Sequence, residues 1–257
     1  MLAQKERTYL GVNIDDIGLE THGRAAFSHL AFPAEIATYI EEALRWKNSK
    51  AWFNDRRIPW RRGWLLTGVA GNGKSAFARA LAEYLDIPIH IFDLATMDNI
   101  EFSGAWGKAI VDSPCIVLFE DLDGVFDGRK NIACGDEGDG LTFDCLLNTI
   151  SGVDNSDGII LIITTNDLTK IDKAIGCERT DADVGETMST RPGRIDRVLF
   201  FNNPDAECRV RIASRILSDW PDQIEAIVSA GKNDTGAQFQ ERCSSLAMKL
   251  FWQGKSL

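Results

Sequence analysis

The 257 residues predict an α/β fold, a five-stranded parallel sheet between helices followed by a small helical domain. Three observations predict it. First, Gly68-Val69-Ala70-Gly71-Asn72-Gly73-Lys74-Ser75 matches G-x-x-x-x-G-K-[ST], with a strand-like run (Trp64–Thr67) before it and helix-forming sequence (Ala76–Ala82) after it. Second, Pro114–Phe119 and Ile159–Ile163 are unbroken apolar runs of strand length, as expected of parallel strands covered on both faces. Third, no strand pattern survives beyond Pro204.

Residues 1–32 alternate short apolar patches with Gly and Asp and read as a β-rich or irregular leader. Pro33 opens a helix, since Ile36, Tyr39, Ile40 and Leu44 recur at helical spacing to about Trp46. A basic, Trp-containing connector runs from Trp52 to Gly63 and feeds the first strand. Pro88–Phe92 reads as the second strand and Ile100–Val111 as a helix, in which Phe102 and Trp106 fall on a core face. After the third strand, residues 127–140 are rich in Gly and acids and read as a mobile loop. Leu141–Ile150 resumes as helix, Ile159–Ile163 is the fourth strand and Val198–Phe201 the fifth. Three helices follow at about 205–218, 221–230 and 235–252, the last opened by Thr235 and Gln238 at capping-box spacing. The expected division is a leader (1–32), an α/β nucleotide-binding domain (33–203) and a helical lid (204–257).

A formal net charge of −10 argues against broad electrostatic binding to nucleic acid. Arg56, Arg57, Arg61 and Arg62 form the one basic cluster, read as solvated surface or as a local contact for nucleic acid. Six cysteines carry no C-x-x-C pair, so neither a zinc site nor a disulfide framework is indicated and a reducing cytoplasm is expected. No apolar run is long enough for a signal peptide or a membrane span.

The glycine-rich stretch is chemistry-bearing because its backbone N–H groups, at the positive end of a helix, suit phosphate oxygens. Gly68 to Ala76 supply that cradle, Lys74 reaches the β- and γ-phosphates of ATP, and the Ser75 hydroxyl is suited to Mg2+. Glu120 and Asp121 end a buried strand, where one carboxylate serves the metal ion and another orients or deprotonates water. Asp123 reads as support for them or as structure. Asn166, after Thr164-Thr165 on the next strand, is placed to hold the attacking water. Arg191 and Arg194 offer fixed positive charge for a phosphoryl transition state, or else are turn residues on the surface.

Taken together, GVAGNGKS, CIVLFED, IITTN and RPGRID resemble the Walker A, Walker B, sensor-one and arginine-finger segments of the AAA+ ATPases, over about Phe27 to Trp252. The fold class implied is a P-loop NTPase of AAA+ type. Arg61-Arg62-Gly63-Trp64-Leu65-Leu66, the order Glu120-Asp121, and Leu141-Thr142-Phe143 with Leu146-Leu147-Asn148 look similar to the Bcs-type branch, named for the mitochondrial Rieske-protein translocase. That likeness implies Glu120 on the metal, through water, and Asp121 as the water-activating acid, with the reverse order open. It implies Arg191 and Arg194 as fingers into a neighbouring subunit, hence a homo-oligomeric ring, a hexamer or heptamer, or a helical assembly. The implied activity is ATP hydrolysis that remodels or translocates a protein substrate. A nucleic-acid motor or loader and a slow nucleotide-gated switch are the alternatives.

The sequence departs from that pattern in three places. The translocase's membrane anchor and N-terminal region have no counterpart, so its cargo and location do not carry over. An acidic, glycine-containing segment (177–189) stands beside the fingers. No aromatic-aliphatic-Gly pore loop follows Leu94, which leaves Met97 as a candidate pore residue.

Overall fold

The computed structural model describes residues 8–9, 12–13, 26–133, 140–151, 157–176, 178–180, 187–189 and 194–254. Most of the expected leader, residues 134–139 of the expected mobile loop, half of the segment 177–189, and Arg191 lie outside these. Two compact units are present. A sheet unit is made of Ala43–Gly68 and Leu85–Phe200, and a loop unit of Met1–Glu42, Val69–Tyr84 and Phe201–Leu257.

The sheet unit holds five strands: β1 (Arg62–Thr67), β2 (Ile89–Phe92), β3 (Cys115–Phe119), β4 (Ile159–Thr165) and β5 (Arg197–Phe200). They pair in parallel throughout, in the order β5-β1-β4-β3-β2. Every residue of β3 and β4 is buried, which explains why these strands read as unbroken apolar runs rather than alternations. The edge strands β2 and β5 expose Ile91 and Phe200. Register pairs Phe119 with Ile163 and Thr67 with Thr165. Counting on from the first pair, Asp121 comes level with Thr165.

Helix α4 (Asn99–Val111) begins where a capping box predicts a start: Asp98 accepts from the N–H groups of Ile100 and Glu101, and Glu101 accepts from Asp98 N–H. Its Phe102 and Trp106 are buried against Phe92 and Phe119, so both are core side chains. Met97 is partly buried on the same core. Thr142 caps α6 (Phe143–Ile150), whose Phe143, Leu146, Leu147 and Ile150 are buried.

The start of the stretch expected as connector is helical instead: α2 (Lys50–Asp55) follows α1 (Ala34–Asn48) after one residue. Phe53 is buried, the Arg56 guanidinium lies 4.4 Å from the Trp52 ring centre, and Trp46 and Trp60 stack at 4.8 Å. Those contacts stabilise a turn that an arginine-rich composition does not announce. Gly63 is needed at the start of β1, because an added Cβ would lie 1.5 Å from the Arg194 carbonyl oxygen.

In the loop unit, α3 (Lys74–Leu85) opens after the glycine-rich turn, and α7 (Ala206–Ile216), α8 (Ile224–Ala230) and α9 (Gly236–Gly254) form the helical part. Ile212, Leu217, Ile227, Phe239 and Cys243 make its core. Phe32, Phe77 and Phe201 meet edge-on in a second apolar cluster. Three short antiparallel pairs are also described: Thr8–Tyr9 with Val12–Asn13, Phe126–Asp127 with Lys130–Asn131, and Glu178–Thr180 with Thr187–Ser189.

Candidate phosphate loop and acid cluster

The loop that follows β1 has the backbone its sequence requires. Gly71 and Gly73 both have φ of 88°, a region that an L side chain seldom enters. Lys74 begins α3, is 6% exposed, and bends over the loop so that Nζ donates to the Val69 carbonyl at 3.4 Å. An open turn of positive-φ glycines, a lysine arched over it and a helix of 12 residues behind it fit a phosphate group. Ser75 occupies the first turn of that helix.

Asn72 has a role that the motif alone does not show. Its side chain is 7% exposed and donates through Nδ2 to the Phe201 carbonyl and to Asn203 Oδ1, both at 3.0 Å. Its Oδ1 accepts from the Gly236 N–H at 2.9 Å, and the Ala237 N–H donates to the Gly71 carbonyl at 2.8 Å. The phosphate loop is thereby tied to the first residues of α9. The capping box at Thr235 and Gln238 forms as the spacing predicts, and it presents those N–H groups.

The acids stand at the carboxyl ends of β3 and β4. Asp121 is exposed and its backbone is left-handed, with φ of 47°. Its N–H donates to Thr164 Oγ1 at 2.8 Å, and its Oδ1 accepts from Asn166 Nδ2 at 3.1 Å. Glu120 is half-buried one residue earlier. Asp123 is 8% exposed, and its Oδ1 accepts from Thr165 Oγ1 and from the Asn166 N–H, each at 2.9 Å. Asp167, next along, is held below the usual carboxylate range by the Thr169 hydroxyl and then by the Thr169 N–H. Asp121, Asp123 and Asn166 are therefore joined in one network between neighbouring strands.

Arg194 is placed at the other end of the strands, before β5. Its Nε donates to Ser151 Oγ at 2.8 Å and its Nη1 donates to the Ala174 carbonyl. Burial pushes the Cys115 thiol up to about 12 and those of Cys208 and Cys243 to about 11. Among the described residues no group of three or more metal-ligating side chains gathers, and no helix is long and apolar enough to cross a membrane.

A family profile for the ATPase family associated with various cellular activities (AAA) matches residues 64–187, which runs from β1 through the acids to the segment before the arginines. The chain belongs to the AAA ATPase family. This AAA protein is 33% identical, over 61% of its length, to "Probable mitochondrial chaperone BCS1-B" of Dictyostelium discoideum, and covers 37% of that relative. It is 32% identical, over 80% of its length, to "Probable mitochondrial chaperone bcs1" of Schizosaccharomyces pombe, covering 42% of it. A third relative, "ATP-dependent zinc metalloprotease FtsH" of Myxococcus xanthus, is 27% identical over 92% of the chain. The likeness to BCS1 proteins sets it in a Bcs1-like branch. It spans about two fifths of the length of these curated relatives.

Proposed function

We propose that this AAA protein binds ATP with Mg2+ at residues 68–76 and hydrolyses it at subunit interfaces of a homo-oligomer, a ring of six or seven or a helical assembly, to remodel or translocate a protein substrate. The observation that carries the reading is the 3.1 Å hydrogen bond from Asn166 Nδ2 to the exposed Asp121 carboxylate. The amide donor holds that carboxylate at a fixed angle, and the exposed side chain leaves room for a water molecule beside it.

In this reading Lys74 and the loop N–H groups hold the phosphates, and Ser75 and Glu120 hold the metal ion, Glu120 through water. Mg2+ supplies positive charge that offsets the charge of the transferring phosphoryl group. Asp121 takes the proton of the attacking water, and Asn166 orients that water together with the acid. Arg191 and Arg194 serve the neighbouring subunit. The nucleotide-binding domain is then 33–203 and the lid 204–257. A cytoplasmic location belongs to this proposal; the mitochondrial place in the relatives' names is a statement about those proteins.

The test is a pair of variants. Lys74→Ala is expected to lose ATP binding by equilibrium titration. Asp121→Asn is expected to keep ATP bound and to cut it at least about a hundredfold more slowly, the scale on which loss of a general base shows itself. Hydrolysis by Asp121→Asn at the wild-type rate overturns the assignment of the acid.

A further inference from the structure

Asp123 is the acid of this cluster that the reaction as described leaves unused, and it is the buried one. Taking a carboxylate out of water is costly unless hydrogen bonds replace the lost solvent. Here both replacements go to one oxygen and both come from the exit of β4, namely the Thr165 hydroxyl and the Asn166 backbone N–H, each at 2.9 Å. Beyond that anchored N–H, the Asn166 side chain has only its own two dihedrals left to set. Its Nδ2 reaches Asp121 Oδ1 at 3.1 Å. The Asp121 backbone is tied back to β4 in turn, because its N–H donates to Thr164 Oγ1 at 2.8 Å.

We propose that Asp123 is a positioning residue for ATP hydrolysis: it fixes the Asn166 backbone so that the Asn166 amide sets the angle of the Asp121 carboxylate. The inference rests on the reading of Asp121 as the acid that activates water. The physical reason is one of tolerance. A base displaced by about an ångström loses on the order of a hundredfold in rate, so a side chain that never touches the substrate governs kcat through the one that does. Affinity for ATP, set by the phosphate loop, has no part in this network. The sequence places Asp123 two residues past Asp121 but does not show that it faces the neighbouring strand; the short helix α5 (Leu122–Val125) turns it inward.

The test measures kcat and KM for ATP on the full chain carrying Asp123→Ala, Asp123→Asn, Asn166→Ala and the pair Asp123→Ala with Asn166→Ala. The expected result is a kcat lowered about ten- to a hundredfold in Asp123→Ala with KM within about twofold of wild type. Asp123→Asn, which keeps an oxygen acceptor, restores most of the rate. In the Asn166→Ala background Asp123→Ala costs nothing more, because the residue it acts through is gone. A readout free of nucleotide accompanies these: the Asn166 backbone N–H exchanges with solvent faster in Asp123→Ala than in wild type or Asp123→Asn.

Wild-type kcat in Asp123→Ala, losses that multiply in the double variant, or unchanged exchange at Asn166 overturns the proposal. Thr165→Val removes one of the two donors without a change of size and is expected to lower kcat in the same direction. It carries the test if Asp123→Ala does not fold, and a wild-type rate there overturns the proposal equally. Asp121→Asn in the same assay separates the two claims. A fully active Asp121→Asn removes the reading of the acid, whereas an inactive Asp121→Asn beside a fully active Asp123→Ala removes the positioning role alone.

Discussion

Asp121 shows how backbone and chemistry meet in one residue. Its φ of 47° lies in the left-handed region, which Asp and Asn tolerate far better than other side chains with a Cβ. Asp121→Asn therefore removes the charge and keeps the fold, whereas Asp121→Ala is expected to lose about 1 kcal/mol of stability as well, read by denaturant titration. Asn72 makes the opposite point. Loss of its three side-chain hydrogen bonds in Asn72→Ala is expected to cost about 2–3 kcal/mol and to loosen the tie to α9. An unchanged denaturation midpoint would contradict this. The sequence marked Asn72 only as one link of a main-chain cradle, since the motif tolerates any residue there and its partners lie about 130 to 164 positions away. The strand-end positions of Glu120, Asp121 and Asn166 were legible because polar residues directly after a buried strand stand out. The buried position of Asp123 was not, because a four-residue helical turn decides it.

At the scale of elements, what was legible depended on local chemistry. The capping pairs at Thr235 and Gln238, and the apolar runs of β3 and β4, are written in neighbouring residues and appear where they were expected. Helix α2 was not legible, because cation–π contacts and a buried Phe53 hold it rather than helix propensity. The caps also give a pH-dependent prediction. Asp205 opens α7 by accepting from the Cys208 N–H at 2.7 Å, and that bond holds its carboxyl below the usual range. With the folded pKa below the unfolded one, the cap's contribution is full above the unfolded value near 4 and is lost as pH falls through the folded one. Asp205→Ala is expected to cost about 1 kcal/mol at pH 7 and progressively less at acid pH. A cost that stays constant from pH 7 to pH 2 would contradict the capping account.

For the whole molecule, the question is what the chain does with copies of itself. The fold was legible because five strands, the central three of them buried, alternating with helices, leave few topologies. Assembly leaves a weaker mark, since two arginines in a turn look the same whether they face solvent or a neighbour. Arg194 is bonded within its own chain to Ser151 and Ala174, so Arg194→Ala is expected to lower the melting temperature as well as hydrolysis. Arg191→Ala is expected to abolish hydrolysis, and wild-type hydrolysis per subunit is expected to rise with protein concentration. Hydrolysis indifferent to both arginines and to concentration would leave a site complete within one chain.

The most direct test of the central claim, a triphosphate gripped by residues 68–76 and cut with a neighbouring copy's help, is the native mass of the Asp121→Asn chain in Mg-ATP. The account predicts a multiple of the 28.5 kDa chain with ATP retained uncut in its subunits. A bare monomer carrying no nucleotide would contradict it.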